Sequence, residues 1–540
     1  MPHSPDPARQ PLLADTTDHQ RRQSACSQYH GSPPPAVPAA GSTTFTPTFG
    51  AAAAYGILVS IVIGSGVFTS PGSIDTNVPS PGMALVMWLL GGILAWAGAN
   101  ALAELGTAIP GEGGVQPYLQ YIYGDVFGFL AAWTWIVAVM PATLAILSIV
   151  FVESIYSVLG VTDHAARLTH KLLSILVLVL VTLANSISTK ASTRLSGFFL
   201  ATKFASIILI VVAGISVVVL QTSDPDRTDI GGRDWFVRPW FGTRKTANQD
   251  GSTTDWDDMS SWDMLGHYSA AIYAALWAYS GWDKASEAIY ISSELKNPSK
   301  QLPLTINTAI PTIFLCFFVA NASYYILLPW KVVSTSDSVA VTAISRLLGV
   351  KFGFLAAALI CLVVAGSILG NSLVVGRMVV SAANKGWFPR PFAVIGRVGL
   401  ASTCKQQQQQ HHDSDHDHPP EGQRGTTFDA PVNAMILSVV LTALYILFGN
   451  FRALLTFNGL GEYTFFFLTV LGVIILRYRE PKLHRPYKPY TVVPVIFAVV
   501  SGFVTVRGAV FAPVQAFILI ALWVVGLVIY WVKARWFTAS

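Results

Sequence analysis

Charged residues are scarce in this sequence. Lysine, arginine, aspartate and glutamate together make up 12% of its 540 residues, whereas 52% of the residues are hydrophobic. Because a soluble domain carries about 25% charged residues, the composition excludes an ordinary soluble protein and indicates a membrane protein. The formal net charge of +5 is small, and the basic residues sit in short loops beside apolar runs. The sequence therefore gives no signal for nucleic-acid binding.

Cysteine is also scarce, and the sequence contains no catalytic motif. The cysteines have neither the spacing of a disulfide framework nor that of a metal site. They are Cys26, Cys316, Cys361 and Cys404. No nucleophile–base set and no phosphate-binding loop is present. We therefore predict that the protein is not an enzyme and that it uses no cofactor or metal.

The first 49 residues lack the short apolar core of a secretory signal peptide. They are polar and rich in proline, serine and threonine, a composition that is typical of disordered segments. We expect residues 1–49 to form a disordered cytoplasmic tail.

Long apolar runs are abundant. A run of about 20 apolar residues can span a bilayer as a helix, and twelve such runs are present. They lie near residues 51–73, 83–107, 127–152, 171–189, 196–220, 265–291, 304–328, 354–384, 431–449, 454–476, 491–511 and 513–533. The sequence thus predicts an all-α membrane domain of twelve transmembrane helices over residues 50–533, followed by a short cytoplasmic C-terminus at residues 534–540.

Basic residues fall on one side of this topology. Lysine and arginine in short loops are retained on the cytoplasmic face, so both termini are predicted to be cytoplasmic. The basic residues on this side are Arg21, Arg22, Lys190, Arg194, Lys296, Lys300, Arg377, Lys385, Arg390, Arg397, Arg477, Arg479, Lys482, Arg485, Lys488, Lys533 and Arg535. We expect the plasma membrane, and an internal membrane stays open as the alternative.

Two long polar loops interrupt the apolar pattern. The loop at 221–264 is rich in aspartate and is predicted to be a solvated extracellular loop. The loop at 400–430 contains Gln406 to Gln410 followed by several histidines. We interpret it as a low-complexity, disordered cytoplasmic loop, with metal binding by its histidines as the alternative.

Two spans are broken by small residues in corresponding places. The stretch Gly56 to Gly72 reads GILVSIVIGSGVFTSPG, and its apolar run is interrupted at Gly64-Ser65-Gly66. The sixth span is interrupted in the same way between Trp277 and Asp283. If the first ten spans form two halves of five, spans one and six correspond, and paired broken helices indicate a substrate site in a transporter. The alternative is that each glycine only allows close helix packing.

The broken helices suit a ligand that carries both charges. Amides at the start of a half-helix can bind a carboxylate. We assign this role to the amides of Ser65, Gly66 and Val67. Carbonyls around Val62, Trp277 and Ser280, which the break leaves unpaired, could accept from an ammonium group. An α-amino acid has both groups.

Several short motifs accompany the breaks in a fixed order. They are Ile63-Gly64-Ser65-Gly66-Val67-Phe68, Glu104-Leu105-Gly106 with Pro110 and Gly113-Gly114, Tyr279-Ser280-Gly281-Trp282, Glu294-Leu295-Lys296-Asn297-Pro298, Gly370-Asn371 with Arg377, Gly386-Trp387-Phe388-Pro389, Leu476-Arg477-Tyr478-Arg479 and Arg485-Pro486-Tyr487. Through them the chain resembles the amino acid–polyamine–organocation (APC) superfamily. Within it, the chain is similar to the L-type amino acid transporter family and its fungal branch that includes methionine permeases. The resemblance covers about residues 50 to 530.

The resemblance implies a fold and a set of site residues. The fold is a 5+5 inverted-repeat, LeuT-like core with discontinuous helices one and six, plus two C-terminal helices. The implied substrate-binding residues are Val62, Gly64, Ser65, Gly66, Val67, Trp277, Ala278, Tyr279, Ser280 and Gly281. Trp277 stands where family members often have a phenylalanine gate, and Ser280 stands where mammalian members have glycine. Both departures would narrow the space for the substrate side chain.

Two ionisable residues are further candidates for gating or coupling. Lys203 lies seven residues past Ser196 in span five, about 10 Å into the helix, and an ionisable group within a span is a functional hypothesis by default. The resemblance implies that this lysine replaces a sodium ion against helix one. Glu104 lies at the cytoplasmic end of span two, where pairing with a basic residue is the favoured interpretation. Asp283 and Glu287 are interpreted as gate or helix-end charges.

Together these observations predict a sodium-independent permease for large neutral amino acids, with methionine favoured, that works by alternating access. Proton coupling is left open because a desolvated lysine can lose its proton. A nutrient receptor with the same site and an obligatory exchanger are the alternatives. Mammalian family members join a glycoprotein through a cysteine in the loop after span three. The corresponding loop here, Tyr156 to His170, has no cysteine, so no disulfide-linked heavy chain is expected.

Overall fold

The protein is a helical bundle built from the apolar runs of its sequence, as a computed structural model shows. The structure describes residues 55–109, 115–161, 168–224, 230–283, 298–393 and 431–538, except Ile57, Ser60, Ile61 and Ser188. The predicted tail at 1–49, the Gln/His loop at 400–430 and Glu287 lie outside these residues.

The described elements are almost all helices. From the first break to the second they are α1 (Gly66–Asp75), α2 (Pro81–Ala108), α3 (Val115–Tyr123), α4 (Asp125–Thr134), a π-helical segment (Trp135–Val139), α5 (Met140–Val158), α6 (Leu168–Ile187), α7 (Thr189–Ser223), α8 (Asp234–Val237), β1 (Thr246–Ala247), β2 (Thr253–Thr254) and α9 (Ser261–Ala278). Beyond it they are α10 (Pro298–Leu327), α11 (Trp330–Thr335), α12 (Val339–Leu348), α13 (Val350–Asn384), a 3-10 turn (Arg390–Ala393), α14 (Val432–Phe448), α15 (Phe451–Arg479), α16 (Val492–Phe511) and α17 (Pro513–Thr538).

These helices confirm the predicted all-α membrane fold. Among the described residues, nine helices are long and apolar enough to cross a membrane, counting α4 to α5 as one. α14 is slightly shorter, with 17 residues. The two remaining predicted spans, the first and the sixth, are the interrupted ones.

Polar side chains mark the start of several helices. Ser80, Ser260 and Asn450 each accept a hydrogen bond from the backbone amide three residues further on. Such N-caps satisfy an amide that has no partner within the helix, and they fix where α2, α9 and α15 begin.

The second half of the first span lies at the centre of the bundle. All ten residues of α1 are buried, and α1 packs against α2, α9, α10, α11 and α12. The last helix, α17, is mostly exposed, because only 11% of its most apolar 18-residue stretch is buried inside the protein. Its exposed apolar side chains are suited to contact with lipid.

The predicted third span contains a feature that the sequence did not indicate. Between α4 and α5 the helix widens into a π-helical segment at Trp135–Val139. The hydroxyl group of Tyr445 donates to the Val137 carbonyl at 3.1 Å. π-helical segments are rare in proteins, and those that occur are often found at functional sites.

The loop at 221–264 contains more regular structure than its sequence indicated. Asp250, Asp257 and Asp258 are exposed, as expected for a solvated loop. However, the described part of the loop also contains α8 and a β1–β2 hairpin in which Thr246 pairs with Thr254, and it packs on the helices. Its Trp240 carbonyl accepts from the Gly82 amide at 2.8 Å. The extracellular, solvated loop stays a prediction, and the structure adds that aromatic and basic residues anchor the loop to the helices.

Candidate functional site

The first break is visible in the backbone hydrogen bonds. The Ile63 amide still donates to the Val59 carbonyl at 2.9 Å, but the Gly64 amide turns back to the Val62 carbonyl at 2.7 Å. A new helix, α1, then begins at Gly66. The first amides of a helix have no partner within it, and the Gly66 and Val67 amides have no backbone acceptor among the described residues. Two of the three amides that were assigned to a carboxylate are thus available.

The second break ends α9 at Ala278. The Tyr279 amide donates to the Ala275 carbonyl at 3.2 Å and the Ser280 amide to the Trp277 carbonyl at 3.0 Å. Gly281 then adopts a positive φ of 108°, a conformation that glycine adopts far more readily than other residues. Its amide donates to Asp283 Oδ1 at 3.1 Å, so Asp283 holds the turn that follows α9.

The structure brings the two breaks into direct contact. A Cβ atom added to Gly66 would lie 2.4 Å from Ala278 Cα and 2.8 Å from Ala278 Cβ. No side chain fits in that space, so the glycine allows the start of α1 to touch the end of α9. The start of α1 presents amides and the end of α9 presents carbonyls, and the contact places these opposite backbone dipoles side by side.

One part of the predicted site chemistry needs correction. The Val62 and Trp277 carbonyls were expected to be unpaired, but each accepts a backbone hydrogen bond, from Gly64 and Ser280 respectively. At each break the tight turn brings a nearby backbone amide within hydrogen-bonding distance of the carbonyl. A carbonyl oxygen has two lone pairs, so each keeps one acceptor position for an ammonium group.

The predicted site residues differ in their surroundings. Ser65, Gly66, Val67 and Ala278 are buried, whereas Gly64 and Ser280 are partly exposed. A Cβ atom added to Gly64 would have only ordinary contacts, 3.9 Å from the Val62 carbonyl oxygen and 4.0 Å from Ser367 Oγ. Gly64 and Ser280 are therefore the positions at which the two breaks are partly accessible to solvent.

The two aromatic residues at the second break have different roles in the structure. The Tyr279 hydroxyl group donates to the Trp88 carbonyl at 3.2 Å, and its ring packs against Trp88 and Phe317. The Tyr279 side chain is therefore committed to helix packing, and only its backbone remains for a ligand. Trp277 is buried, but its Nε1 has no hydrogen-bond partner among the described residues. A buried donor without a partner is unusual in a native structure, and a ligand acceptor would satisfy it.

Lys203 lies within α7 and is 7% exposed. α7 packs against α10, α12 and α13, so the lysine is enclosed by protein rather than extended along the surface. Its predicted role next to the first span stays a prediction.

Glu104 is an ion-pairing residue. Its carboxylate accepts from Arg477 Nη2 at 2.5 Å and lies 3.1 Å from Arg485 Nε, and the glutamate is only 1% exposed. This pairing with basic residues is the interpretation that the sequence favoured. The pair ties the end of α2 to the end of α15 and to the loop that follows it, while the gating role assigned to Glu104 stays a prediction.

Two groups of polar residues were missed at the sequence level. The first joins Asp75 at the end of α1 to Arg244 of the long loop and to Tyr325 of α10. Nothing in the sequence relates residues so far apart. The second is Glu462 in the middle of α15, which is buried beside Asn458. A glutamate inside an apolar run is a sequence feature from which this buried residue could have been predicted.

Comparison with known proteins agrees with this geometry. Residues 49–532 match the family described as "Amino acid permease". The chain is 26% identical over 492 residues to the human b(0,+)-type amino acid transporter 1, covering 91% of this chain and 88% of the relative. It is 26% identical over 496 residues to the mouse large neutral amino acids transporter small subunit 2, covering 92% and 82%. It is also 27% identical over 480 residues to the mouse Asc-type amino acid transporter 1, covering 89% and 80%.

The matched region contains both breaks and nearly every described helix. The family therefore accounts for the discontinuous first and sixth spans as parts of a LeuT-like fold. The chain belongs to the amino acid permease family, as an L-type amino acid transporter of the APC superfamily.

Proposed function

We propose that this protein is a sodium-independent permease that moves large neutral amino acids, methionine among them, by alternating access. The observation that carries the proposal is the contact between Gly66 and Ala278. It joins a helix start whose first amides have no backbone acceptor among the described residues to a helix end with carbonyls that keep an acceptor position. A carboxylate and an ammonium group on one carbon atom match these two ends.

The preference for large neutral side chains has two supports. No charged residue is among the site residues Val62 to Val67 and Trp277 to Gly281, so the site offers an amino acid side chain no ionic partner of its own. Trp277 adds an aromatic surface and a buried N–H group. Methionine fits both features, because its thioether packs well on aromatic rings and is a weak hydrogen-bond acceptor.

Sodium independence is supported by Lys203, which puts a basic side chain into the buried interior of the fifth span. An ammonium group and a sodium ion carry the same charge, so the lysine can replace the ion electrostatically. The proposal places the protein in the plasma membrane with both termini in the cytoplasm. The proposal includes no disulfide-linked heavy chain, since the loop from Tyr156 to His170 has no cysteine. The mouse large neutral amino acids transporter, by contrast, is named as a "small subunit".

The experiment is sodium-free counterflow in proteoliposomes that contain the full chain. Liposomes are loaded with one unlabelled amino acid and diluted into a trace of the labelled one, for a panel of neutral, acidic and basic amino acids. We expect accumulation of label with methionine and other large neutral amino acids. No accumulation with any amino acid, or a strict need for sodium, would contradict the proposal.

A nutrient receptor and an obligatory exchanger are the competing functions. Removal of residues 1–45 separates the receptor from the permease, because a permease should keep transport without its tail. Net uptake into empty liposomes separates the permease from the exchanger, because an obligatory exchanger needs substrate on both sides.

A further inference from the structure

α15 carries a carboxylate in the middle of a membrane-spanning helix. Glu462 is residue 12 of the 29 in α15, which places it about 16 Å from the start and about 25 Å from the end of the helix. Its side chain is 5% exposed. An ionised carboxylate is costly at that depth, so its protonation state is sensitive to its surroundings.

A short chain of neutral polar groups leads to this carboxylate. Thr143 Oγ1 on α5 donates to Asn458 Oδ1 at 3.1 Å, and Asn458 Nδ2 lies 3.5 Å from Glu462 Oε2. An amide N–H group can donate to a carboxylate and also to the carbonyl oxygen of a carboxylic acid. The Asn458 contact is thus compatible with both protonation states of Glu462.

The face of α15 that carries Glu462 adjoins the second break. Asn458, Glu462 and Phe466 lie on one face because they are spaced four residues apart. The Phe466 ring packs against Trp282 at 4.7 Å between centroids and against Trp135 at 5.7 Å. Trp282 directly follows the break after α9, and Trp135 begins the π-helical segment. Both are places where the backbone departs from regular α-helix, and such departures are frequent at functional sites.

Two ionisable residues of the described chain are close to the face that carries Glu462. Tyr463 lies beside it on α15 and, like Glu462, is buried. Tyr463 packs against Tyr273 of α9, and its hydroxyl accepts from Trp282 Nε1, next to Asp283. Asp283 is therefore the carboxylate that approaches this region from the second break.

Charged groups on the other helices that pack against α15 are held elsewhere. On α2, Glu104 pairs with Arg477 and Arg485. On α16, Arg507 donates to the Trp262 carbonyl. The other ionisable residues on these helices are Tyr118, Tyr121 and Tyr123 on α3, Asp125 on α4, Glu153 and Tyr156 on α5, Asp263, His267 and Tyr268 on α9, and Tyr530, Lys533 and Arg535 on α17.

We propose that Glu462 is the proton-binding residue that couples amino acid transport to a proton gradient, an inference that rests on the proposed permease function. When the site faces the acidic side, a proton from water forms an O–H bond with a Glu462 carboxylate oxygen. After reorientation that bond breaks and the proton passes to water on the other side. A proton needs only one oxygen, whereas a divalent cation takes about six or more oxygen ligands, and rings of Phe466, Trp282 and Tyr463 pack next to this face.

The test compares Glu462→Gln with wild type in sodium-free proteoliposomes. In wild type, an acid-outside gradient should accelerate uptake of a neutral amino acid. If one proton moves with each substrate, the steady-state accumulation should rise by up to about tenfold for each pH unit applied. Glutamine mimics the protonated acid and cannot release a proton. We therefore expect E462Q to keep counterflow without a gradient and to lose the acceleration completely.

One control variant makes the comparison specific. Glu153→Gln removes another glutamate from a helix that packs against α15, and it should keep the acceleration. If E462Q itself shows no counterflow, Glu462→Asp must restore both exchange and acceleration, because aspartate keeps a titratable group.

Several results would overturn the proposal. They are an unchanged acceleration in E462Q, an equal loss of the acceleration in E153Q, and failure of E462D to restore both properties where E462Q is inactive. Loss of only lysine and arginine exchange in E462Q would make Glu462 a site for cationic side chains instead. Wild-type counterflow without any gradient effect would overturn this proposal alone, whereas absence of counterflow would overturn the permease function with it.

Discussion

Gly66 is the residue at which the two broken helices touch, and any side chain there must displace Ala278. A Cβ atom on Gly66 would lie 2.4 Å from Ala278 Cα, closer than real Cβ contacts. Overpacking of this kind costs about 1–3 kcal/mol and would push the amides of α1 away from the end of α9. We predict that Gly66→Ala lowers counterflow at least about tenfold, since a loss of 1.4 kcal/mol in the site corresponds to that factor.

Gly370 in α13 provides the matched control. A Cβ atom added there meets nothing within 4 Å, and its backbone φ is not positive. Gly370→Ala should therefore keep counterflow at the wild-type level. Equal activities of the two variants, at equal amounts of reconstituted protein, would show that the contact between the breaks is not needed for transport.

Trp277 tests how the substrate is held. Its Nε1 has no partner in the part of the chain that the structure describes, so Trp277→Phe is expected to remove no hydrogen bond from the protein without substrate. If the N–H group binds the substrate, its loss costs about 0.5–1.5 kcal/mol. We predict a KM that rises several-fold and a maximal exchange rate that changes little. A KM that does not change would mean that the indole N–H is not a substrate contact.

Among the elements, α1 is held at its end by the long loop. Arg244 Nη2 contacts both carboxylate oxygens of Asp75, at 2.6 and 2.5 Å, and the Tyr325 hydroxyl donates to Asp75 Oδ1 at 2.6 Å. Thr76, the next residue, donates to the Ser334 carbonyl and accepts from Arg452 Nη1. The end of α1 is thus bound to the loop, to α10, to α11 and to α15.

The neighbouring residues Arg244 and Lys245 allow a direct test of this anchor. Arg244 pairs with the fully buried Asp75, whereas Lys245 pairs with Asp255 at the surface, with side chains 70% and 33% exposed. Removing one partner of a buried ion pair costs about 3–5 kcal/mol, and an exposed pair contributes about 1 kcal/mol or less. In thermal unfolding of detergent-purified protein, Arg244→Gln should lower the midpoint clearly and Lys245→Gln should leave it near wild type. Equal midpoints would contradict the anchoring role.

How far the sequence predicts these elements depends on how local their cause is. The break at Gly64 to Gly66 could be predicted because its small residues interrupt an apolar run within a few positions. The pair of Asp75 and Arg244 could not, since 169 residues separate the partners and each looks like an ordinary loop charge. The π-helical segment was missed because Trp135 to Val139 are as apolar as their neighbours.

At the scale of the molecule, two buried ion-pair clusters lie near opposite ends of α2. At the start of α2, Asp75 precedes the first residue, Pro81, by six positions and pairs with Arg244. Near the last turn of α2, about 35 Å along the helix, Glu104 pairs with Arg477 and Arg485. The two breaks meet between these clusters. Alternating access requires one end of such a core to open while the other stays closed, and the clusters are the polar contacts that opening would disturb.

The overall architecture was largely predictable, whereas the surroundings of the site were not. Hydropathy predicts the spans because a bilayer demands long apolar helices, and the paired breaks lead to the proposed location of the site. The packing of Tyr279 on Trp88 and the position of Glu462 beside the second break depend on which helices become neighbours. That information lies in the three-dimensional packing of residues far apart in the chain.

The most direct test of the central claim is substrate protection at the second break. Ser280 is partly exposed there, so Ser280→Cys, in a protein whose four native cysteines are replaced, should react with a thiol reagent. Ser252→Cys in the exposed β1–β2 turn serves as the control. We predict that methionine slows labelling of position 280 in a saturable way and leaves position 252 unaffected. Active transport with no protection at position 280 would show that the substrate does not bind between the two breaks.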